Sequence, residues 1–409
     1  MDPTPATTAL VAFRACKAYD AALPAALDRL LEDLGGWERL VPAGTTVLVK
    51  PNLLTDRTPD EAVTTHPVLL RAVLQRLLRC GASVAVGDSP ASAAQLARVW
   101  ERTGIESVCR EMGVPLLSFE QRTARTVTRG AYTYQVAADV LDAQLIINLP
   151  KVKTHNLTTL TAAVKNLYGT LPGYQKTQRH KEYPQPGIFG KYLRALLDTL
   201  PPMLTIADGV VGMEGDGPSA GTPVHLGFLA ASMDPVALDL ALCRALRIPP
   251  RRVPYLVDDL KAGANERLQL VGTTIEELAL PKIKLPPPSP TRLLPRWLVK
   301  LVSPLVWVRP RFDTACIRCG RCVRACPVKA LQLPEGAPVP RLEGSRCIGC
   351  CCCHEVCPAR AVAMRPSPLL RLIRRPGAAA RRGGGGRPAG ESPPPLSPPE
   401  PTSTKKESP

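Results

Sequence analysis

Two hydrophobic periods alternate along the first 280 residues. Residues 45–49 form a short apolar, β-branched run behind Pro42-Ala43-Gly44 and predict a strand. Over 67–79, Leu69, Leu70, Val73, Leu74 and Leu77 recur at helical spacing. Further along, 83–86 predicts a strand, 93–100 a helix and 144–148 a buried strand. Residues 157–167 and 192–200 read as helices, 203–207 and 225–230 as strands, and 235–246 as a helix. Strands alternating with helices predict an α/β domain over 8–280, a parallel or mixed sheet with helices on both faces.

Beyond residue 280 the pattern breaks. Pro286-Pro287-Pro288-Ser289-Pro290 marks a linker, so 281–312 reads as a Pro-rich connection carrying an apolar segment. That segment, 293–308, is interrupted by Arg296, Lys300 and Pro304. It falls short of the roughly 18 uncharged apolar residues of a membrane span, so no transmembrane segment is expected. Residues 313–365 form a cysteine-rich module. From 376 to 409 a basic, Gly-rich and then Ser/Pro-rich composition predicts a disordered tail, too poor in apolar residues to offset chain entropy.

The 409 residues suit two or three domains, and 45% hydrophobic content suffices for a large core. The net charge of +17 is partly local, with Arg371, Arg374, Arg375, Arg381, Arg382 and Arg387 clustered near the tail. Aromatics are only 4%, too few to interleave a basic face for base stacking, which argues against nucleic acid. Of 14 cysteines, ten lie between Cys316 and Cys357. The first residues show no basic region followed by a long apolar run, and so large a chain is no disulfide scaffold. A reducing cytoplasm with metal-binding thiolates is the expectation.

The cysteines form two runs, Cys316-Ile-Arg-Cys319-Gly-Arg-Cys322-Val-Arg-Ala-Cys326-Pro327 and Cys347-Ile-Gly-Cys350-Cys-Cys-Cys353-His-Glu-Val-Cys357-Pro358. Both fit C-x2-C-x2-C-x3-C-P, in which three thiolates hold one cubane and the fourth reaches the other. Two [4Fe–4S] clusters are expected, one on Cys316, Cys319, Cys322 and Cys357, the other on Cys347, Cys350, Cys353 and Cys326. A single zinc ion prefers paired C-x2-C units and leaves the trailing Cys-Pro unexplained. An offset of 31 residues superimposes the runs and also carries Ala330 onto Ala361. The module resembles the bacterial two-cluster ferredoxins over about 50 residues and is expected to be a small α+β fold. Cys351 and Cys352 exceed the pattern and read as spare thiols, one of which could shield or modulate the cluster.

In the α/β domain, polar residues follow the predicted strands: Lys50 and Asn52 after the first, Asp88 after the second, Asn148, Lys151, Lys153 and His155 after the third, and Asp208 after 203–207. Open α/β sheets bind ligands at that edge. With Lys165, the lysines would make a positive pocket suited to an anionic small molecule. His66, His155 and Lys151 are candidate proton-transfer groups. The Gly-rich acidic stretch from Gly209 to Pro218 could clamp a ligand or, with Asp208, hold a cation, or could be a plain turn.

At these residues a family resemblance appears. Lys50-Pro51-Asn52, Thr65-His66-Pro67, Gly87-Asp88-Ser89, Asn148-Leu-Pro-Lys151-Val-Lys153-Thr-His155, Lys165-Asn166-Leu-Tyr168-Gly169 and Met233-Asp234-Pro235 resemble the domain of unknown function 362 family over about 8–250. The resemblance implies an architecture and a pocket, often fused to a ferredoxin module, but no substrate.

Two functions stand against each other. In one, an iron–sulfur oxidoreductase relays electrons from a partner protein or small-molecule donor to an anion in the pocket. In the other, a non-catalytic electron carrier uses the large domain for docking or ligand sensing. A non-redox enzyme with structural clusters ranks third.

Overall fold

The computed structural model describes residues 8–90, 96–173, 179, 182–183, 185–286 and 307–368. The Pro-rich stretch from 287, most of the apolar segment, the tail from 376 and the start of the helix expected at 93 lie outside the described residues.

Strand patterning builds one ten-stranded mixed sheet. Its main path runs β12 (Leu268–Gly272), β1 (Ala9–Ala15), β11 (Thr222–Ser232), β10 (Met203–Glu214), β7 (Leu145–Leu149), β2 (Thr46–Pro51), β3 (Ser83–Asp88) and β4 (Leu116–Ser118). From β10 to β4 neighbours are parallel, with Val47 opposite both Leu145 and Val84, while β11 runs antiparallel to β1 and β10.

Period-two burial assigns each strand residue to a face. Phe13, Leu48, Ile146, Ala207 and Phe228 point to one core, under helices Pro186–Leu197 and Pro235–Ala245. Ala12, Val47, Val49, Ile147 and Leu229 point to the other, under helices Leu23–Glu32 and Pro67–Arg79. The fold is therefore α/β with a mixed sheet and helices on both faces. His66 is the N-cap of Pro67–Arg79, its Nδ1 accepting from Val68 N, and Pro67 at the first turn loses no needed donor.

Three sequence expectations are corrected. Residues 157–167 do not form one helix: β9 (Thr159–Thr161) pairs with β8 (Lys151–His155), and only Ala163–Asn166 is helical. Thr158, Thr159 and Thr161 are β-branched, and the ladder to β8 overrides the apolar spacing. The stretch after Asn148 is strand β8 itself. The glycines at 209 and 212 are strand residues of β10, not loop residues, and glycine is needed there because neighbours approach too closely for a Cβ: at Gly212 one would stand 2.6 Å from Leu226 Cδ1.

The C-terminal module carries two short antiparallel pairings, β13 (Val308–Phe312) with β16 (Val362–Pro366) and β14 (Leu331–Gln332) with β15 (Arg341–Leu342). Its halves repeat in backbone detail. Helix Arg321–Arg324 corresponds to Cys352–Glu355 at the 31-residue offset. Gly320 at φ 69° corresponds to Cys351 at φ 66°, and Lys329 at φ 51° to Arg360 at φ 53°.

Candidate functional site

Lys50 ends β2 and Asp88 ends the adjacent β3, so parallel pairing brings them together: Lys50 Nζ lies 2.8 Å from Asp88 Oδ1, both 1% exposed. Asp88 Oδ2 also accepts from Leu53 N and Oδ1 from Ser89 N, each at 2.8 Å. Gly169 closes over the pair, since a Cβ there would stand 2.2 Å from Asp88 Oδ1. The absence of a side chain at 169 is thus a packing requirement.

This pair forms one wall of a cavity of about 90 Å³, also lined by Asn52, Lys153, His155, Lys165, Thr161 and Tyr168. The opposite wall belongs to the cysteine module: Ala325, Cys352, Glu355 and Val356. Lys153 Nζ donates to Val63 O at 2.6 Å. Burial first, then the neighbouring Lys165 charge, push Lys153 down to about 7. Lys165 Nζ sits over the rings of Tyr168 and Phe189 at 5.3 and 5.9 Å. Burial lowers its pKa too, against the pull of Glu355, while burial raises the pKa of Glu355. No carboxylate lies within salt-bridge range of Lys153 or Lys165 among the described residues. His155 Nδ1 accepts from Leu157 N at 3.0 Å, which puts the proton on Nε2, 3.5 Å from Glu355 Oε1.

An asparagine chain leads to the cavity from the sheet. Asn148 Nδ2 donates to Ala163 O, Asn166 Nδ2 to Asn148 Oδ1 at 2.8 Å, and Asn52 Nδ2 to Asn166 Oδ1 at 2.8 Å. Buried Asn52 Oδ1, Thr161 Oγ1 and Glu355 Oε1 lack a hydrogen bond. Unsatisfied polar atoms around a cavity of this size are places for water or a polar ligand.

Lys151, His66 and Asp208 meet elsewhere. Lys151 Nζ donates to Asp208 Oδ2 at 2.6 Å and to Tyr19 OH at 2.8 Å, and Tyr19 OH donates to Asp208 Oδ1 at 2.6 Å. His66 N donates to the same carboxylate, and its ring stacks on Tyr19 with centroids 3.6 Å apart. Burial, opposed by Asp208, holds His66 down to about 4. These three residues lie outside the cavity lining. Lys151 and Lys153 alternate along β8, but their strand-mates separate them: Lys151 faces β10 and Asp208, whereas Lys153 faces the cavity. Tyr19 and Glu355 carried no sequence signal, being single polar residues without a motif.

The cysteines line two further cavities, each about 20 Å³. Cys316, Cys319, Cys322 and Cys357 share the first, and Cys326, Cys347, Cys350 and Cys353 share the second, with Cys351 and Cys352. Each therefore gathers three thiols of one run and the fourth of the other. Among the described residues no three metal-binding side chains are close enough to chelate a single ion. Four thiols around each common hollow fit the ligand set of a cubane. Cys352 lines both this second cradle and the lysine-lined cavity. In the first half of the repeat its place is taken by Arg321.

The module is held by ionic and polar contacts. Arg321 grips Asp56 with two hydrogen bonds of 2.8 and 3.2 Å, Arg57 Nη2 donates to Cys357 O at 3.1 Å, and Arg360 pairs with Glu61 at 2.9 Å. Ser219 Oγ donates to Glu355 O at 2.8 Å, and His354 Nε2 lies 3.2 Å from Asp216 O. The loop after β10 thus docks the module; Glu214 and Asp208 are engaged with Lys284 and Lys151.

The fold and thiol cradles define an α/β protein fused to a 4Fe–4S ferredoxin-type domain. Residues 47–244 match the family described as domain of unknown function 362, and residues 315–361 match a 4Fe-4S dicluster domain. The chain is 36% identical over 267 residues to thylakoid-associated protein sll1697 of Synechocystis, covering 65% of this chain and 81% of that protein. It belongs to the domain of unknown function 362 family. The lactate racemase apoprotein of Thermoanaerobacterium thermosaccharolyticum superimposes at TM-score 0.39 and 12% identity, over 59% of this chain and 58% of that one. A Thermotoga maritima protein superimposes at TM-score 0.35 and 13% identity, over 52% and 54%. This chain spans less than two thirds of either structure. No helix among the described residues is long and apolar enough to cross a membrane.

Proposed function

We propose that the chain is an iron–sulfur oxidoreductase that passes electrons to an anionic small molecule bound between its two modules. Two [4Fe–4S] clusters would be held, one by Cys316, Cys319, Cys322 and Cys357, the other by Cys347, Cys350, Cys353 and Cys326. When bound, such clusters supply single electrons. The observation that carries the reading is the shared wall: Cys352 belongs both to the second cradle and to the cavity holding Lys153 and Lys165.

The protein's own residues suit this task. Lys153 and Lys165 have no carboxylate within salt-bridge range among the described residues, and burial disfavours their charged forms, so a bound anion would stabilise the protonated lysines and be attracted by them in turn. Asn52 and Thr161 would orient it. His155, with its proton on Nε2 toward Glu355, is placed to move a proton at the cavity wall. Lys151 and His66, locked to Asp208 and Tyr19, act as supports under this reading.

Anaerobic purification should yield about eight irons and eight sulfides per chain. Oxalate or phosphate should perturb the electron paramagnetic resonance of the reduced protein, and Lys165→Met should remove that effect while keeping the iron. Bound zinc without acid-labile sulfide would refute the cluster assignment. Anions without any spectral effect would refute the shared site. Binding with no oxidation of reduced protein by any small anion would leave the carrier or sensing reading.

A further inference from the structure

The two halves of the cysteine repeat have the same backbone but opposite surroundings. In the second half, Ile348, Gly349 and Cys350 are half-buried, and a Cβ on Gly349 would lie 3.0 Å from Val308 O of β13. The helix that follows is buried from Cys352 to Glu355 against the α/β domain. In the first half, the same loop is open. Ile317 is 65% exposed, the only large exposed hydrophobic residue of the module among the described residues, and Cys319 is exposed beside it.

Charge gathers at the open loop. Arg318 and Arg324 are exposed and donate to main-chain carbonyls, of Pro334 and Cys319, at 3.5 and 3.2 Å. Neither has a carboxylate partner among the described residues, unlike Arg321, Arg346 and Arg360 of the same module. Between residues 307 and 368 there are ten lysines and arginines against four acids. A cubane held by four thiolates is itself an anion, and so would repel an acidic protein approaching Cys319. Two unpaired guanidiniums around one exposed apolar side chain reverse that sign and leave a dry centre with a charged rim, the composition of a transient docking surface.

We infer that the Ile317–Cys319 loop, with Arg324, is the docking face for a small acidic one-electron carrier protein. The inference rests on the electron-transfer reading above, and it places that partner at the first cradle, whose lining shares no residue with the cavity. The step is a bare electron transfer. The carrier loses one electron, the iron–sulfur protein gains one, and no bond forms or breaks.

An acidic flavodoxin is the probe. Titration calorimetry of oxidised flavodoxin against the anaerobically purified full chain should show binding that weakens as salt is raised. The Arg318→Glu/Arg324→Glu variant should bind about tenfold more weakly at low ionic strength. Photoreduced flavodoxin should transfer its electron correspondingly more slowly to that variant. Iron content and the oxalate effect at the cavity should be unchanged, which separates this inference from the cavity reading. Should the double reversal lose iron, Arg318→Gln/Arg324→Gln tests the same point with a smaller loss. Arg346→Glu, on the covered half, should leave binding as it is. Equal affinity of the charge-reversed and native proteins overturns the proposal. So does absence of flavodoxin binding, or stronger binding of a basic carrier such as cytochrome c.

Discussion

Replacing Asp56 by Asn should loosen the cysteine module from the α/β domain without unfolding either core. Asp56 and Arg321 are 6% and 7% exposed and share two hydrogen bonds. Burial opposes the charge on Asp56, but the hydrogen bonds and charge of Arg321 prevail, so its carboxyl lies below the usual range. Asparagine keeps the shape and removes the charge, leaving the Arg321 guanidinium buried and uncompensated. Breaking such a pair costs about 3–5 kcal/mol. At 1.4 kcal/mol per factor of ten, the opening equilibrium should shift by roughly two to three and a half orders of magnitude. Arg98 also reaches Asp56, at 2.9 Å, but is 54% exposed. Arg98→Ala should therefore cost only about 1 kcal/mol or less. Replacing both Asp56 and Arg321 by leucine removes the charges together and should recover most of the loss. The same contact should fail in acid: with the folded pKa below the unfolded value, its contribution is full above the unfolded value and lost as pH falls through the folded one. Native-state hydrogen exchange on amides of 58–62 and 352–356 measures the opening. A change below about 1 kcal/mol for Asp56→Asn would show the pair to behave as a surface contact and refute the reasoning.

Other outcomes follow from the site. Lys153, held near 7, should be protonated below that pH and neutral above it. Oxalate affinity should thus be full below pH 7 and fall by about tenfold per unit above it, with proton uptake on binding; a flat profile from pH 7 to 9 would count against Lys153. Without anion, Lys153 makes stability rise with pH between about 7 and 10.5, because the unfolded chain keeps the proton longer. Cys353→Ala should lower the iron content and Cys351→Ala should not, the reverse result placing the second run in another register. Asp208→Asn should cost about 3–5 kcal/mol in thermal or denaturant unfolding by stranding buried Lys151, while the surviving folded protein keeps its oxalate response.

Local chemistry carried much of this protein into the sequence. The helix at 67–79 was legible to the residue because its leucines keep strict helical spacing behind a proline. The expectation that Cys357 joins Cys316, Cys319 and Cys322 came from the repeat and its prolines, and these four thiols line one hollow. Lys50 and Asp88 could be placed together because parallel strands deliver their exits to one edge. Tertiary structure alone decided what lies between those landmarks. The threonines of β9 became a strand only because β8 was there to pair with them. Lys151 and Lys153, two residues apart, went to different partners because Asp208 on the adjacent strand captures one and leaves the other at the cavity. Cys352 looked like a surplus thiol in the run. It became a cavity wall because the second half of the repeat turns the helix face carrying Cys352 and Glu355 toward Lys165 and His155, a choice made by contacts more than 100 residues away in the chain, such as Ser219 to Glu355. Such contacts leave no periodicity, since each depends on how two separately folded surfaces meet.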